Sequence, residues 1–253
     1  MPNTPHWLTA RPIAHRGLHD QTQGLVENTI PAFDAAIERG FAIELDVQLT
    51  ADNDAVIFHD HTLDRLTRET GSVVARACQD LQKIEVIGAG TKIPSLAKVL
   101  AHVDGRTPLI VELKSRFDRE LALADAVAGA IAAYPGPLAL MSFDPTLISH
   151  LHKHNTGRPL GVVAASMGYK HWGELSIWKR FQYGALLHGP GLWCDFVSYN
   201  QANLPAFSPW LAKVFGQKAL LCWTVKDVQT AKHMARHVDA ITFEGFDPYG
   251  VPL

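Results

Sequence analysis

The sequence is short of cysteine: Cys78, Cys194 and Cys222 are the only three in 253 residues, and none has the paired spacing of a thiolate metal site. That argues against a disulfide framework, and Cys222, inside an apolar run, reads as a buried thiol. Charge of one sign is missing too. A formal net charge of -2 leaves no general attraction to nucleic acid or to an anionic membrane surface, so any phosphate binding has to be local. No apolar run reaches the ~20 residues of a membrane span, and Met1 to Arg11 lacks the basic-then-apolar order of a signal peptide. The expectation is a cytoplasmic protein with no stable membrane insertion. Repeats, low-complexity segments and linkers are also absent. What is present, 47% hydrophobic and 19% charged residues, fits an ordinary globular enzyme with a large core.

Short apolar runs alternate with helical patterns from end to end, which predicts parallel strands joined by crossover helices. The runs are 12–15, 41–47, 109–113, 138–142, 160–163, 196–198, 219–224 and 240–243, the eight that a closed barrel needs. Helical spacing marks 30–39, with Thr29 as cap and Gly40 as stop, and also 95–103, 118–134 and 227–237. A further run, 55–59, follows the second strand across the turn-rich Thr50-Ala51-Asp52-Asn53-Asp54, too short for a crossover, and reads as an antiparallel hairpin strand. The expected fold is α/β, a (β/α)8 TIM barrel in one domain, 1–253, with a small insertion at about 60–94 after the second barrel strand. A second irregular stretch, about 164–194, is rich in aromatics and reads as a packed cover in preference to a substrate-binding element.

The chemistry concentrates on strand ends. Phe41 to Val47 alternates so that Ala42, Glu44 and Asp46 share one face while Ile43, Leu45 and Val47 share the other. Two neighbouring carboxylates on one inward face are costly unless a cation or hydrogen bonds compensate, although a structural ion pair is the bland alternative. Leu109 to Lys114 repeats the design and brings Glu112 and Lys114, which a simple salt bridge would also explain. Three hard oxygen donors suit one divalent cation, Mg2+ or Ca2+. His15, Arg16 and Gly17 end the first strand with a base, a fixed cation suited to a phosphate, and a turn-permitting glycine. His59 ends the hairpin strand. A cation, a base and an acid are the parts that phosphodiester cleavage needs.

At these residues the chain resembles the glycerophosphodiester phosphodiesterase family. The resemblance is carried by His15-Arg16-Gly17, Glu27-Asn28-Thr29, Glu44-Leu45-Asp46-Val47, His59-Asp60, Leu63-Asp64-Arg65, Glu112-Leu113-Lys114, Ser142-Phe143-Asp144 and Trp223-Thr224-Val225, in the family's order. It implies a TIM barrel that hydrolyses small-molecule glycerophosphodiesters to glycerol 3-phosphate and an alcohol. By position it implies Glu44, Asp46 and Glu112 as metal ligands and His15 and His59 as the acid/base pair. Arg16 and Lys114 match phosphate contacts, and Glu27 and Trp223 match residues lining the pocket. Three places depart from the family's pattern: Lys226, Thr242-Phe243-Glu244, and Leu66 to Gly71. They bear on substrate shape and leave the metal and histidine positions intact. Two other readings stand beside this one: a lysophospholipid- or sphingolipid-cleaving barrel, favoured only by the aromatics between Tyr169 and Trp193, and a non-catalytic barrel that binds a phosphorylated metabolite. The sequence does not set the oligomeric state.

Overall fold

The computed structural model describes residues 4–173 and 175–249. In chain order come β1 (Ile13–Ala14), α1 (Ile30–Glu38), β2 (Ala42–Leu49), β3 (Ala55–Ile57), α2 (Cys78–Leu81), β4 (Glu85–Val86), β5 (Thr91–Lys92), α3 (Leu96–Val103), β6 (Leu109–Leu113) and α4 (Ala122–Ile131). There follow β7 (Leu138–Ser142), α5 (Pro145–Lys153), β8 (Leu160–Ala164), α6 (Ile177–Gly184), α7 (Gly189–Trp193), β9 (Phe196–Asn200), α8 (Phe207–Val214), β10 (Ala219–Val225), α9 (Val228–Met234) and β11 (Ala240–Phe243). Apart from β3 and the β4–β5 hairpin, the strands and their helices have the arrangement of a (β/α)8 barrel with an insertion after its second strand. Two compact units divide the chain: a first of residues 14–114 and 120–138, and a second of the remaining described residues.

In the first unit β2 is paired on both sides. It runs parallel to β6, from Ile43↔Leu109 to Val47↔Leu113, and antiparallel to β3, from Val47↔Ile57 to Leu49↔Ala55. The reversal into β3 comes from Thr50, whose hydroxyl donates to Asp52 Oδ1 (2.6 Å) and accepts from the Asp54 amide (2.9 Å), with Asn53 in the left-handed region. Helix α3 shows why its segment folds as it does: Ser95 Oγ caps the Lys98 amide, and Leu96, Val99, Leu100 and Val103 form one buried stripe. The insertion has a small core of its own, in which Leu63, Leu66, Val73, Leu81 and Ile84 close over Val56 and Phe58 of the hairpin strand.

In the second unit β7 to β11 form successive parallel pairs, with registers such as Met141↔Gly161, Gly161↔Phe196 and Cys222↔Ile241. Gly161 sits where a Cβ would run into the Phe196 ring, so the strand can hold no larger residue there without moving that side chain. Asp144 and Asp227 cap α5 and α9 by accepting the Thr146 and Thr230 amides, each at 2.8 Å. The pattern anticipates neither α5 nor α8. It also starts α4 too early, because Phe117 and Arg119 take positive φ (58° and 66°) and hold the chain out of the helix until Ala122. Of the N-terminal stretch without a signal arrangement, residues 1–3 lie outside the described residues. Among the described residues no helix is long and apolar enough to cross a membrane.

All three cysteines are free and buried. Burial pushes the Cys78 and Cys222 thiols up to about 12 and that of Cys194 to about 11, so thiolate is scarce near neutrality. A thiol-specific reagent should therefore titrate no fast-reacting group in the native protein and three after denaturation. A fast native thiol would show that one of these sites opens.

Candidate active site

The turn after β1 sets the first side chains. Gly17 has φ 81°, and a Cβ there would lie 2.9 Å from the Ala32 carbonyl carbon and from the Phe33 ring, so only glycine fits. Arg16 just before it is held at φ 55°, a conformation costing a non-glycine residue on the order of 1 kcal/mol or more. Hydrogen bonds hold it there: its amide donates to Glu44 Oε2 (2.9 Å) and its carbonyl accepts from the Asn28 amide (2.9 Å). So turned, Arg16 sets Nη1 2.7 Å from Glu27 Oε1 and Nε 3.3 Å from Asp46 Oδ2.

Strand alternation places Glu44 and Asp46 on one face of β2, and the parallel register sets Asp46 directly beside Glu112 of β6. All three are buried, and one oxygen from each lies within 4.8 Å of the others. Lys114 reaches back over this cluster, its Nζ 2.6 Å from Glu112 Oε1 and 2.8 Å from Asp46 Oδ1. The contact to Asp46 is an ion pair without hydrogen-bond alignment, since Oδ1 is otherwise unpartnered. Asn28 clamps Asp46 from the other side: its Nδ2 donates to Oδ2 (2.8 Å) and its Oδ1 accepts the Asp46 amide (3.2 Å).

These surroundings push the two carboxylates of β2 apart. Burial, then the charges of Asp46 and Glu112, drive Glu44 well above the usual carboxylate range. Burial pushes Asp46 the same way, but Lys114, His59, Arg16 and His15 outweigh it and keep Asp46 ionised far below that range. Lys114 loses by burial and gains more from Asp46 and Glu112, so it remains an ammonium.

The donor set fits a divalent cation. Glu44 Oε1 is buried and accepts no hydrogen bond, and an orphaned carboxylate oxygen beside two other carboxylates is costly unless a proton or a cation neutralises it. Three carboxylates with no sulfur ligand offer the hard oxygens that Mg2+ or Ca2+ takes.

The histidines flank this cluster. His15 Nε2 is 4.0 Å from Glu44 Oε2. His59 Nδ1 is 2.6 Å from Asp60 Oδ1. Burial raises Asp60, but the bonds from His59 and Arg65 lower it further, so Asp60 stays ionised and can only accept. Nδ1 therefore carries the hydrogen and Nε2 the lone pair of the neutral ring. Behind Asp60, Arg65 donates from Nε to Oδ2 (2.5 Å) and from Nη1 and Nη2 to Glu27 (both 2.8 Å). A continuous chain of ion pairs thus runs from His59 through Asp60, Arg65, Glu27 and Arg16 to Asp46.

Eight of the nine residues singled out in the sequence, His15, Arg16, Glu27, Glu44, Asp46, His59, Glu112 and Lys114, fall in the first unit in this one network. Trp223 belongs to the second unit. There its indole Nε1 donates to the Ser198 carbonyl (3.1 Å), and its ring meets Phe143 and Tyr169 edge-on at 5.4 and 5.5 Å. The aromatic stretch around it is mixed: Trp172 is core, while Trp178 and Phe181 are exposed. Lys226 and Glu244, two departures from the family's pattern, pair with each other at 2.6 Å. Asn28, Asp60 and Arg65 help carry the family resemblance, but the sequence assigns none of them a place in the site. A carboxylate after a strand-end histidine signals Asp60, but nothing local shows that Arg65 bonds a residue 38 positions earlier.

Residues 15–244 match the model of the glycerophosphoryl diester phosphodiesterase family. The chain belongs to this family. A glycerophosphodiester phosphodiesterase of Bacillus altitudinis is 36% identical over 78% of this chain and 84% of its own length. Another, from Caldanaerobacter subterraneus subsp. tengcongensis, is 40% identical over 41% of this chain, and that match spans less than half, 44%, of the relative. Among solved structures, an Oleispira antarctica phosphodiesterase in complex with the product sn-glycerol-3-phosphate superposes with a TM-score of 0.72. It is 20% identical and covers 92% of both chains. A glycerophosphodiester phosphodiesterase from Thermotoga maritima gives 0.68 at 22% identity, covering 91% of this chain and 92% of its own. Both confirm the barrel fold of this phosphodiesterase family member.

Glu27 yields a pH prediction. Burial raises it, but the bonds from Arg65 and the charge of Arg16 bring it down to about 2. A carboxyl depressed in the folded state contributes stability that is complete above the unfolded value, near 4.5, and lost as pH falls through about 2; here it is on the order of 3 kcal/mol. Glu27→Gln removes that dependence. Melting temperatures of the natural protein and the variant should differ most near neutrality and converge on acidification, and a gap constant with pH would contradict the assignment.

Proposed function

We propose that the chain is a metal-dependent glycerophosphodiester phosphodiesterase, which hydrolyses a glycerophosphodiester to glycerol 3-phosphate and an alcohol. The observation that carries this reading is the buried triad of Glu44, Asp46 and Glu112 with His15 and His59 beside it. The Oleispira relative bound to sn-glycerol-3-phosphate and the Bacillus relative's activity support it.

In this reading Glu44, Asp46 and Glu112 hold one divalent cation, Mg2+ or Ca2+, which when bound offsets charge on the phosphoryl oxygens. Arg16 and Lys114 bring two further cations to the same place and orient the phosphate. His59 exchanges a proton at Nε2, with Asp60 fixing its tautomer and Arg65 fixing Asp60. His15 serves as its counterpart, so that one histidine takes the proton of the attacking hydroxyl and the other supplies the leaving alkoxide. Glu27 keeps Arg16 and Arg65 in place. A lysolipid substrate is the competing reading, carried by the exposed Ile177, Trp178 and Phe181 on α6.

The test is an activity matrix of cations against diesters. Purified protein should release glycerol 3-phosphate from glycerophosphocholine or a related diester with Mg2+ or Ca2+ and stop on chelation. His15→Ala and His59→Ala should each lower turnover by ~10² to 10⁴. Arg65→Met should lower kcat more than it changes KM and shift the pH profile, and Arg65→Lys should not restore it, because a lysine cannot bridge two carboxylates with a planar fork. No metal-dependent release from any diester would sink the reading; faster turnover of lysolipid vesicles than of soluble diesters would favour the lipid alternative.

A further inference from the structure

Helix α8 carries its apolar face outward. Phe207, Trp210, Leu211 and Val214 recur at the spacing that normally turns a stripe toward the core, and Phe215 continues it. Yet Phe207 and Phe215 are each 72% exposed, Val214 50%, Trp210 49% and Leu211 41%, and the helix buries only Pro209. The stripe is continuous, since the Trp210 ring touches those of Phe207 and Phe215, both at 6.0 Å between centroids.

We propose that this face is the contact between two copies of the chain, packed helix against helix about a two-fold axis. The periodicity asks for a burial that the single chain does not provide. With ~150 to 250 Å² for an aromatic side chain, the exposed parts of the stripe come to about 500 Å² per copy, at the upper end of what a monomer's largest apolar patch reaches. Two copies packed on this stripe would together bury about 1,000 Å², the area that a specific interface should clear.

Charge selects the occupant. The one cation on α8, Lys213, is already held by Asp239 Oδ1 at 2.8 Å and the His237 carbonyl at 3.2 Å, and Lys218, just past the helix, donates to the carbonyls of Leu192 and Cys194. Helix α8 itself therefore offers no free lysine or arginine of the kind with which interfacial helices draw anionic lipid. It equally lacks a charge pattern that a charged protein partner would complement. A neutral apolar stripe meets its own copy without like-charge repulsion, which is the requirement of a self-complementary contact.

Sedimentation and light scattering on the full chain, from about 1 to about 100 µM, test this. The natural protein should move toward twice its mass of 27.8 kDa as concentration rises, and Trp210→Glu and Phe215→Glu should each remain monomeric with unchanged circular dichroism and turnover. Leu211→Cys gives a second readout, because the three native thiols are buried: mild oxidation should trap it as a disulfide-linked dimer. A natural protein that stays monomeric throughout, or a dimer that survives both glutamate substitutions, overturns the proposal. So does a monomer that binds phosphatidylglycerol or phosphatidylcholine vesicles in a Trp210-dependent way, which would give the face to lipid.

Discussion

Three carboxylates from two adjacent strands occupy one buried place, and much of the first unit follows from making that tolerable. Register forces the problem: β2 and β6 pair so that Asp46 and Glu112 stand side by side, and the period of two brings Glu44 to the same face. Burial pushes both Glu44 and Asp46 toward the protonated form. Lys114, Arg16 and the Asn28 clamp hold Asp46 ionised, while Glu44 is left with an oxygen that no protein group satisfies. The asymmetry distinguishes the two carboxylates of β2: Asp46 is held ionised, and Glu44 is the one that would give up a proton if a cation bound.

Support for the cluster extends into the insertion. Arg65 lies in a segment with its own small core, and it spans from Asp60 behind His59 to Glu27 behind Arg16. His59 and Arg16 are thereby coupled through one planar guanidinium. A side chain held this way keeps its orientation without relying on the mobility-prone tips of loops. The strained φ of Arg16 belongs to the same design: two backbone hydrogen bonds, to Glu44 and from Asn28, hold a conformation that aims the side chain at the cluster.

Period and chemistry made most of this legible in the sequence. The alternation of 41–47 exposed the Glu44/Asp46 face, the turn-rich link at 50–54 marked β3 as antiparallel, and the histidines stood out because two of them end strands beside three carboxylates. What stayed hidden depends on distance in space. Arg65 and Asn28 act through partners 38 and 18 residues away, and no local pattern reports such pairs. Helix α5 escaped because its polar histidines blur the stripe of Leu147, Ile148 and Leu151, although Asp144-Pro145 is a usable start signal. Helix α8, by contrast, has a clear stripe in Phe207, Trp210, Leu211 and Val214, and what the sequence does not report is that this stripe faces away from the chain's own core.

The most direct test of this account is calorimetric titration of chelator-treated protein with Mg2+ and with Ca2+, repeated in buffers of different ionisation heat. One cation per chain should bind with release of protons, because a carboxylate held above its ordinary range must give up its proton to become a ligand, and Asp46→Asn should abolish the signal while the variant stays folded. Heats no larger than dilution for the natural protein, or binding unchanged in Asp46→Asn, would contradict it.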